Sequence, residues 1–136
     1  MPTPQDILGT ATLAATRVLT VNEPVSTNIF FEESITSLTA SATLTGLTRD
    51  VGAVAGLAHK VAAFNAFAFA SVAGTLRIEV SNDNTTWRRI TADTAVAAGA
   101  AIILSVPVVA RYHRAVFVNG AAAQTAFMAN TSFTMA

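Results

Sequence analysis

The stretch KVAAFNAFAFA, residues 60–70, decides the fold, because after its first residue it alternates without a charged side chain. Successive side chains of a β-strand point to opposite faces, so the alternation defines two faces. One face holds Val61, Ala63, Phe67 and Phe69, and the other holds Phe64, Ala66, Ala68 and Ala70. A strand that is apolar on both faces is buried on both. We therefore expect the alanine-rich face to be covered by a neighbouring subunit.

Further strands follow that stretch along the chain. Residues 74–81 alternate with one wet face, and the turn sequence SNDNT at 81–85 leads into a return strand at 87–90, which predicts a hairpin. The apolar run at 100–106 stops at Pro107, a residue that a central strand would not accept.

The last third of the chain predicts a second hairpin. Residues 111–118 alternate again, and Asn119-Gly120 is a strong signal for a type I′ turn, which needs positive φ at both central residues. The partner strand is predicted at residues 125–133. Strands at this spacing without a long helix predict an all-β fold, an antiparallel β-sandwich of the jelly-roll kind.

The sequence divides into an arm and a domain. Residues 1–41 are rich in Pro, Ser and Thr and alternate without a sustained period, so we expect an extended N-terminal arm with short strands. Residues 42–136 form the predicted β-sandwich domain. A segment such as the arm is too short to hold its own core and orders only against something else.

The composition is poor in charge. Charged residues make up 12% of the 136 residues and hydrophobic residues 52%, and the formal net charge is +0. An ordinary soluble domain carries roughly 25% charged residues. A surface with so few charges and no net repulsion favours a protein that works within an assembly.

The same composition argues against other function classes. The chain has no cysteine, so a disulfide scaffold and thiolate chemistry are excluded. Its apolar runs are too short and too interrupted to predict a membrane span, and its start does not resemble a signal peptide. The basic residues are scattered among equal numbers of acids, so we expect neither nucleic acid nor membrane as a partner.

The sequence offers no constellation that predicts catalysis. His59 and His113 have no second metal ligand at helical spacing, and no nucleophile elbow occurs. Glu32 and Glu33 are adjacent, so a strand would point them to opposite faces, and we interpret them as a solvated strand end. We therefore expect no enzyme activity and no cofactor.

The turn at residues 81–85 has two interpretations. In the first, Asp83 caps backbone amides while Trp87 packs beneath the hairpin. In the second, Asp83 and the flanking asparagines offer oxygen ligands to Ca²⁺, although the spacing of an EF-hand is absent. We favour the first and predict no metal site.

Part of the chain resembles small structural proteins of tailed bacteriophages, a group that includes capsid-decorating, tail and baseplate proteins. The resembling residues are GTLRIEVSND at 74–83, Trp87, VPVVARYHR at 106–114, Asn119-Gly120-Ala121, Gln124-Thr125 and Phe127. The resemblance lies within residues 60–136 and brings no catalytic residue with it. It implies a structural role in a virion.

These observations lead us to expect a capsid cement, or decoration, protein on the capsid exterior, assembled in the host cytoplasm. It would bridge neighbouring major capsid proteins as a homotrimer. The candidate subunit contacts are Phe64, Ala66, Ala68, Arg88, Arg89, Arg111 and Arg114. The alternative is a tail or baseplate sandwich that binds host glycan through Trp87, Tyr112 and the arginines.

Overall fold

A computed structural model describes residues 28–55 and 61–135 of the chain. These residues form two antiparallel sheets that pack face to face, which confirms the predicted β-sandwich. The elements are β1 (Asn28–Ser34), β2 (Thr43–Thr45), β3 (Arg49–Asp50), α1 (Val51–Ala55), β4 (Val61–Ala70), β5 (Gly74–Ser81), β6 (Arg88–Arg89), β7 (Thr94–Val96), β8 (Ala100–Pro107), β9 (Tyr112–Asn119) and β10 (Phe127–Met135).

The strands divide between two sheets, A and B. Sheet A has the order β1-β10-β4-β8. Sheet B has the order β2-β9-β5-β6, and β3 and β7 add to β9 and β5. The chain therefore crosses between the sheets several times, as jelly-roll sandwiches do.

The core lies between the sheets and depends on the alternation of β4. Phe64, Ala66, Ala68 and Ala70 of this strand are fully buried, together with Leu76, Ile78 and Phe117 from sheet B. Aromatic contacts link the layers, with Phe117 and Phe127 ring centroids 4.9 Å apart in a tilted arrangement. Burial of these apolar side chains supplies the main driving force for the fold.

The predicted hairpin at Asn119-Gly120 is wrong. β9 ends at Asn119 in sheet B and β10 begins at Phe127 in sheet A, so the two strands are not paired. Neither residue has a positive φ, so no type I′ turn forms. Gly120 is required for another reason: a Cβ there would lie 2.5 Å from the carbonyl oxygen of Ala73.

Asn119 instead organises the connection through its buried side chain. Its Nδ2 donates to the carbonyl oxygens of Thr39 and Ala122, each at 2.9 Å. Its Oδ1 accepts from Nε2 of Gln124 at 3.1 Å, and Oε1 of Gln124 accepts from the backbone amide of Leu38 at 2.9 Å. This network fastens the segment after β1 to the segment before β10.

An Asn119→Asp substitution separates the two roles of this residue. Asp-Gly is as good a turn signal as Asn-Gly, so a turn residue would tolerate the change. The carboxylate cannot donate to the two carbonyls, so we expect a loss of about 2–4 kcal/mol in the free energy of unfolding. Urea denaturation at pH 7 measures the loss, and Asn82→Asp, at an exposed position, is the control. Equal midpoints for both variants would contradict the network.

Residues 28–34, which the sequence analysis assigned to the arm, are part of the sandwich. β1 pairs with β10 from Asn28 to Ser34, so sheet A includes the end of the predicted arm. Residues 1–27 of that arm lie outside the described residues.

The prediction that Glu33 is solvated is wrong. Its side chain is 0% exposed, and its two carboxylate oxygens each accept a hydrogen bond of 2.9 Å from Arg49 of β3. Thr131 of β10 donates to the same carboxylate, and the Arg49 guanidinium lies 4.1 Å over the Phe31 ring. The pair therefore joins the edge of sheet A to sheet B.

The neighbouring glutamates give a matched test of this ion pair. Glu33→Gln leaves the charge of the partly buried Arg49 without its partner, so we expect a loss of about 3 kcal/mol in the free energy of unfolding. Glu32→Gln, at the exposed neighbour, changes it by no more than about 0.5 kcal/mol. Urea denaturation of both variants measures the difference, and similar values for the two would refute the role of the pair.

Candidate interaction surface

Three of the predicted subunit contacts lie inside the molecule. Phe64, Ala66 and Ala68 are 0% exposed and belong to the core between the sheets. Their prediction as contacts is wrong, because sheet B covers this face of β4. The opposite face of the strand, with Asn65 and Phe67, points away from the core.

The outward side chains of sheet A form rows across its four strands. From β1 to β8, the rows are Glu32, Asn130, Phe67 and Ile103; Phe30, Ser132, Asn65 and Ser105; and Asn28, Thr134, Ala63 and Pro107. Within the described part of the chain, Glu32 is the one charged residue on this face, and it lies at the β1 margin. The face is therefore almost entirely neutral.

Asn65 holds three hydroxyl groups at the centre of this face. Its Nδ2 donates to Ser132 Oγ at 3.0 Å and to Thr134 Oγ1 at 2.9 Å, and its Oδ1 accepts from Ser105 Oγ at 2.6 Å. Because Ser132 and Thr134 accept hydrogen bonds from the amide, their own protons remain available to an outside acceptor. The network ties β10, β4 and β8 together and fixes the positions of these groups.

Apolar side chains flank the hydroxyl groups and enclose a groove. Phe30, Ile103 and Met128 are 72%, 68% and 42% exposed, and Phe67 lies among them. The groove has a volume of about 530 Å³ and is also lined by Asn130. Its size falls in the range of small-molecule sites. We call this feature the sheet A groove.

Charge is concentrated on the other side of the sandwich. β4, β8 and β10 contain no Asp, Glu, Lys or Arg. On sheet B, Glu79 pairs with Arg77 at 2.8 Å and with Arg114 at 2.7 Å, and Arg77 also approaches Asp93 at 3.4 Å. Burial opposes ionisation of Glu79, but hydrogen bonds from the two arginines outweigh it and lower the pKa of this carboxyl.

The four predicted arginine contacts lie on or near the surface of sheet B. Arg89 pairs with Asp93 at 3.0 Å, and Arg111 reaches Asp50 with two hydrogen bonds of 3.1 and 3.2 Å. Arg114 is engaged with Glu79, whereas Arg88 is exposed and has no ion pair within residues 28–55 and 61–135. Their role as subunit contacts stays a prediction.

Trp87 and Tyr112, the aromatic residues of the glycan-binding alternative, stack against arginines of the same chain. The Arg114 guanidinium lies 4.0 Å over the ring of the half-buried Trp87, and that of Arg111 lies 5.1 Å over the ring of Tyr112. One face of each ring is therefore taken by an intramolecular cation–π contact.

The Asp83 turn has the predicted capping role. Its Oδ1 accepts from the backbone amides of Thr85 at 2.9 Å and Thr86 at 2.8 Å, and from the Ser81 hydroxyl at 2.8 Å. These bonds lower the pKa of Asp83 to about 2. The described residues contain no cluster of His, Cys, Asp or Glu that could hold a metal ion.

His113 is a buried titratable residue in the core. It is 0% exposed, its ring lies 5.2 Å from that of Phe64, and Phe133 meets it edge-on at 6.2 Å. Neither ring nitrogen has a hydrogen-bond partner within the described segments. Burial lowers the pKa of His113 to about 4.

We expect His113 to make the fold acid-sensitive. Its pKa is about 4 when folded and near 6.5 when unfolded, so stability is complete above pH 6.5 and decreases as the pH falls towards 4. Between pH 7 and pH 5 the free energy of unfolding should fall by about 2 kcal/mol. His113→Leu should remove this decrease.

Urea denaturation of both proteins at several pH values measures the effect. The carboxyls with lowered pKa values, Asp50, Glu79 and Asp83, lose their contribution only below about pH 4.5, so they do not interfere. The same pH slope in both proteins would show that His113 is not the cause.

The comparisons with known proteins agree with the fold. Residues 12–134 match the model of the family described as Uncharacterised protein YqxG N-terminal domain. The chain therefore belongs to the YqxG N-terminal domain family. No curated protein matches it in sequence.

Among solved structures, the chain is similar to PBSX exported protein XepA, with 30% identity and a TM-score of 0.71. The match covers 83% of this chain and 40% of XepA, so the chain spans less than half of that protein. PirA (10% identity, TM-score 0.46, 84% and 98% of the two chains) and the Tobacco streak virus coat protein (8%, 0.45, 85% and 89%) are more distant. Those two similarities are too weak to bear on function.

No helix in the described segments is long and apolar enough to cross a membrane.

The sequence analysis missed one feature of this surface. The polar centre of the sheet A groove was not predicted, although Asn65 stands alone in an otherwise apolar strand, and a lone polar residue there was the available signal. Its partners Ser132 and Ser105 come from distant strands and carried no signal of their own.

Proposed function

We propose that this chain is a virion structural protein, specifically a capsid cement subunit that braces neighbouring major capsid proteins. It acts on the capsid exterior after assembly in the host cytoplasm, associates as a homotrimer, and performs no catalysis. Its similarity to XepA, a phage-related protein, supports the virion setting. Because the chain spans 40% of XepA, the proposal concerns the sandwich alone.

The open edge of β8 is the observation that supports assembly most directly. β8 pairs with β4 on one side and with no other strand among the described residues. Its sequence, AAIILSVP, contains no charge, and Ile103 is largely exposed. An edge strand of this kind is a template for pairing with another chain.

The other edges of the sandwich are protected. At the opposite edge of sheet A, β1 carries the exposed Glu32, and its register shifts between Glu32 and Ser34. The outer strands of sheet B, β2, β3, β6 and β7, have only two or three residues each. Charges, bulges and short strands are the devices that natural sheets use to prevent pairing. β8 has none of these devices, and its one protective residue is the terminal Pro107.

A strand added to β8 would brace a shell without any chemistry. Each added strand forms hydrogen bonds with the backbone groups along the edge. It also buries apolar surface, which stabilises the contact by about 25 cal/mol per Å². A symmetric oligomer repeats the contact in every subunit, so modest contacts add up. A protein that binds only the intact lattice then shifts the lattice towards its assembled state.

A charge on β8 tests the edge. We expect the native chain to sediment as an oligomer at micromolar concentration, and Ala101→Lys to weaken its association at least about tenfold, because edge charges oppose strand addition. Ala95→Lys, on the exposed and short β7, is the matched control and should leave association unchanged. Sedimentation of the native chain as a monomer alone would contradict assembly through this edge.

The capsid role needs a second measurement. Shells stripped of the protein should melt at a lower temperature than the same shells redecorated with the native chain, whereas Ala101→Lys should restore little of the difference. Equal melting of bare and redecorated shells would favour the tail or baseplate alternative.

A further inference from the structure

We propose that the sheet A groove binds a neutral oligosaccharide. This site goes beyond the cement role, because it uses the outer face of sheet A, whereas assembly uses the edge of β8.

The polar groups of the groove match sugar hydroxyls. Ser132 and Thr134 present hydroxyl protons whose oxygens are already held by Asn65. The Asn130 amide lines the groove and has no hydrogen bond within the described residues, so both its donors and its acceptor are available. Sugar hydroxyls both donate and accept, so they can satisfy all of these groups at once.

The apolar side chains of the groove match the C–H face of a pyranose ring. Phe30 is 72% exposed at the β1 side of the groove, and Phe67 lies beside Ile103 at the β8 side. Ligand sites of this size commonly combine apolar and aromatic walls with a few fixed polar groups. A sugar ring can therefore lie against a phenyl face while its hydroxyls reach the Asn65 network.

The lack of charged side chains in the described lining of the groove favours a neutral ligand. Among the described residues, no Asp, Glu, Lys or Arg lines it. The nearest charge on this face is Glu32, which pairs in register with Asn130 at the margin and would repel an anion. A nucleic acid, a phosphate polymer or an acidic polysaccharide finds no cation here. A neutral oligosaccharide brings no charge that would need a partner when it is buried.

The dimensions of the face favour a small ligand over a second copy of the chain. Four strands about 4.8 Å wide give a width of about 19 Å, and strands of 7 to 10 residues extend about 23–33 Å, which gives a face of roughly 440–630 Å². A stable protein interface buries about 800 Å² on each partner. A second copy on this face alone would therefore cover too little area, while an oligosaccharide along the strands would fill the groove.

Isothermal titration calorimetry of the full 136-residue chain tests the site. The probes are cellohexaose, mannohexaose and chitohexaose, and the anionic comparison is hexagalacturonate. We expect at least one neutral probe to bind with a Kd below about 1 mM, and hexagalacturonate to bind at least about tenfold more weakly. Phe30→Ala and Asn130→Ala should each weaken binding of the neutral probe about tenfold, since each removes one principal contact.

Leu47→Ala is the matched control, because Leu47 is 66% exposed but lies outside the groove. Phe30 is so exposed that its truncation leaves the core intact, and unchanged urea midpoints verify this. The proposal is overturned if no neutral probe binds at 1 mM, if hexagalacturonate binds best, or if Leu47→Ala weakens binding as much as Phe30→Ala. It is also overturned if Phe30→Ala changes the sedimenting species, since the face would then be a subunit contact; the edge proposal would be judged separately by Ala101→Lys.

Discussion

The close approach of sheet B to the alanines of β4 is the constraint on which the rest of the structure depends. Ala66, Ala68 and Ala70 leave room that larger side chains of sheet B fill. Side chains alternate strictly along a strand, so a slip of one residue would move Phe67 and Asn65 into the core. The register that builds the core therefore also places the polar centre of the groove on the outside.

The strands themselves were largely predictable from the sequence, because their alternation is local. It was not predictable which face of β4 points to the core. Both of its faces are apolar, so nothing local shows that the smaller side chains point inward. The larger partners that fill the space, such as Leu76 and Phe117, come from other strands. For this reason the sequence analysis placed the Ala66 face outside.

Two other errors have the same origin. Asn119-Gly120 carries a turn signal, but its side-chain partner Gln124 and the carbonyl of Thr39 fix a different path. The local sequence alone predicts a solvated Glu33, because its partner Arg49 lies on the opposing sheet. By contrast, the Asp83 cap was predictable, because all of its partners lie within three residues of it. Local chemistry can be predicted from the sequence, whereas contacts between sheets cannot.

The two outer faces of the sandwich differ in their charge. On sheet B most charged side chains other than Arg88 are paired, and Arg114 also stacks on Trp87, so this face is largely satisfied within the chain. Sheet A offers an uncharged edge and an uncharged groove whose polar groups are only partly used. We therefore expect contacts with other molecules to be concentrated on sheet A.

The position of β10 determines when the sandwich can form. This strand lies between β1 and β4, so residues near 30 and near 130 must meet before sheet A is continuous. Such distant pairing slows folding. During synthesis β10 is the last described strand to leave the ribosome, so β1 and β4 wait without their shared neighbour. Sheet A therefore cannot close until β10 has been synthesised, and loss of this strand would remove the middle of the sheet.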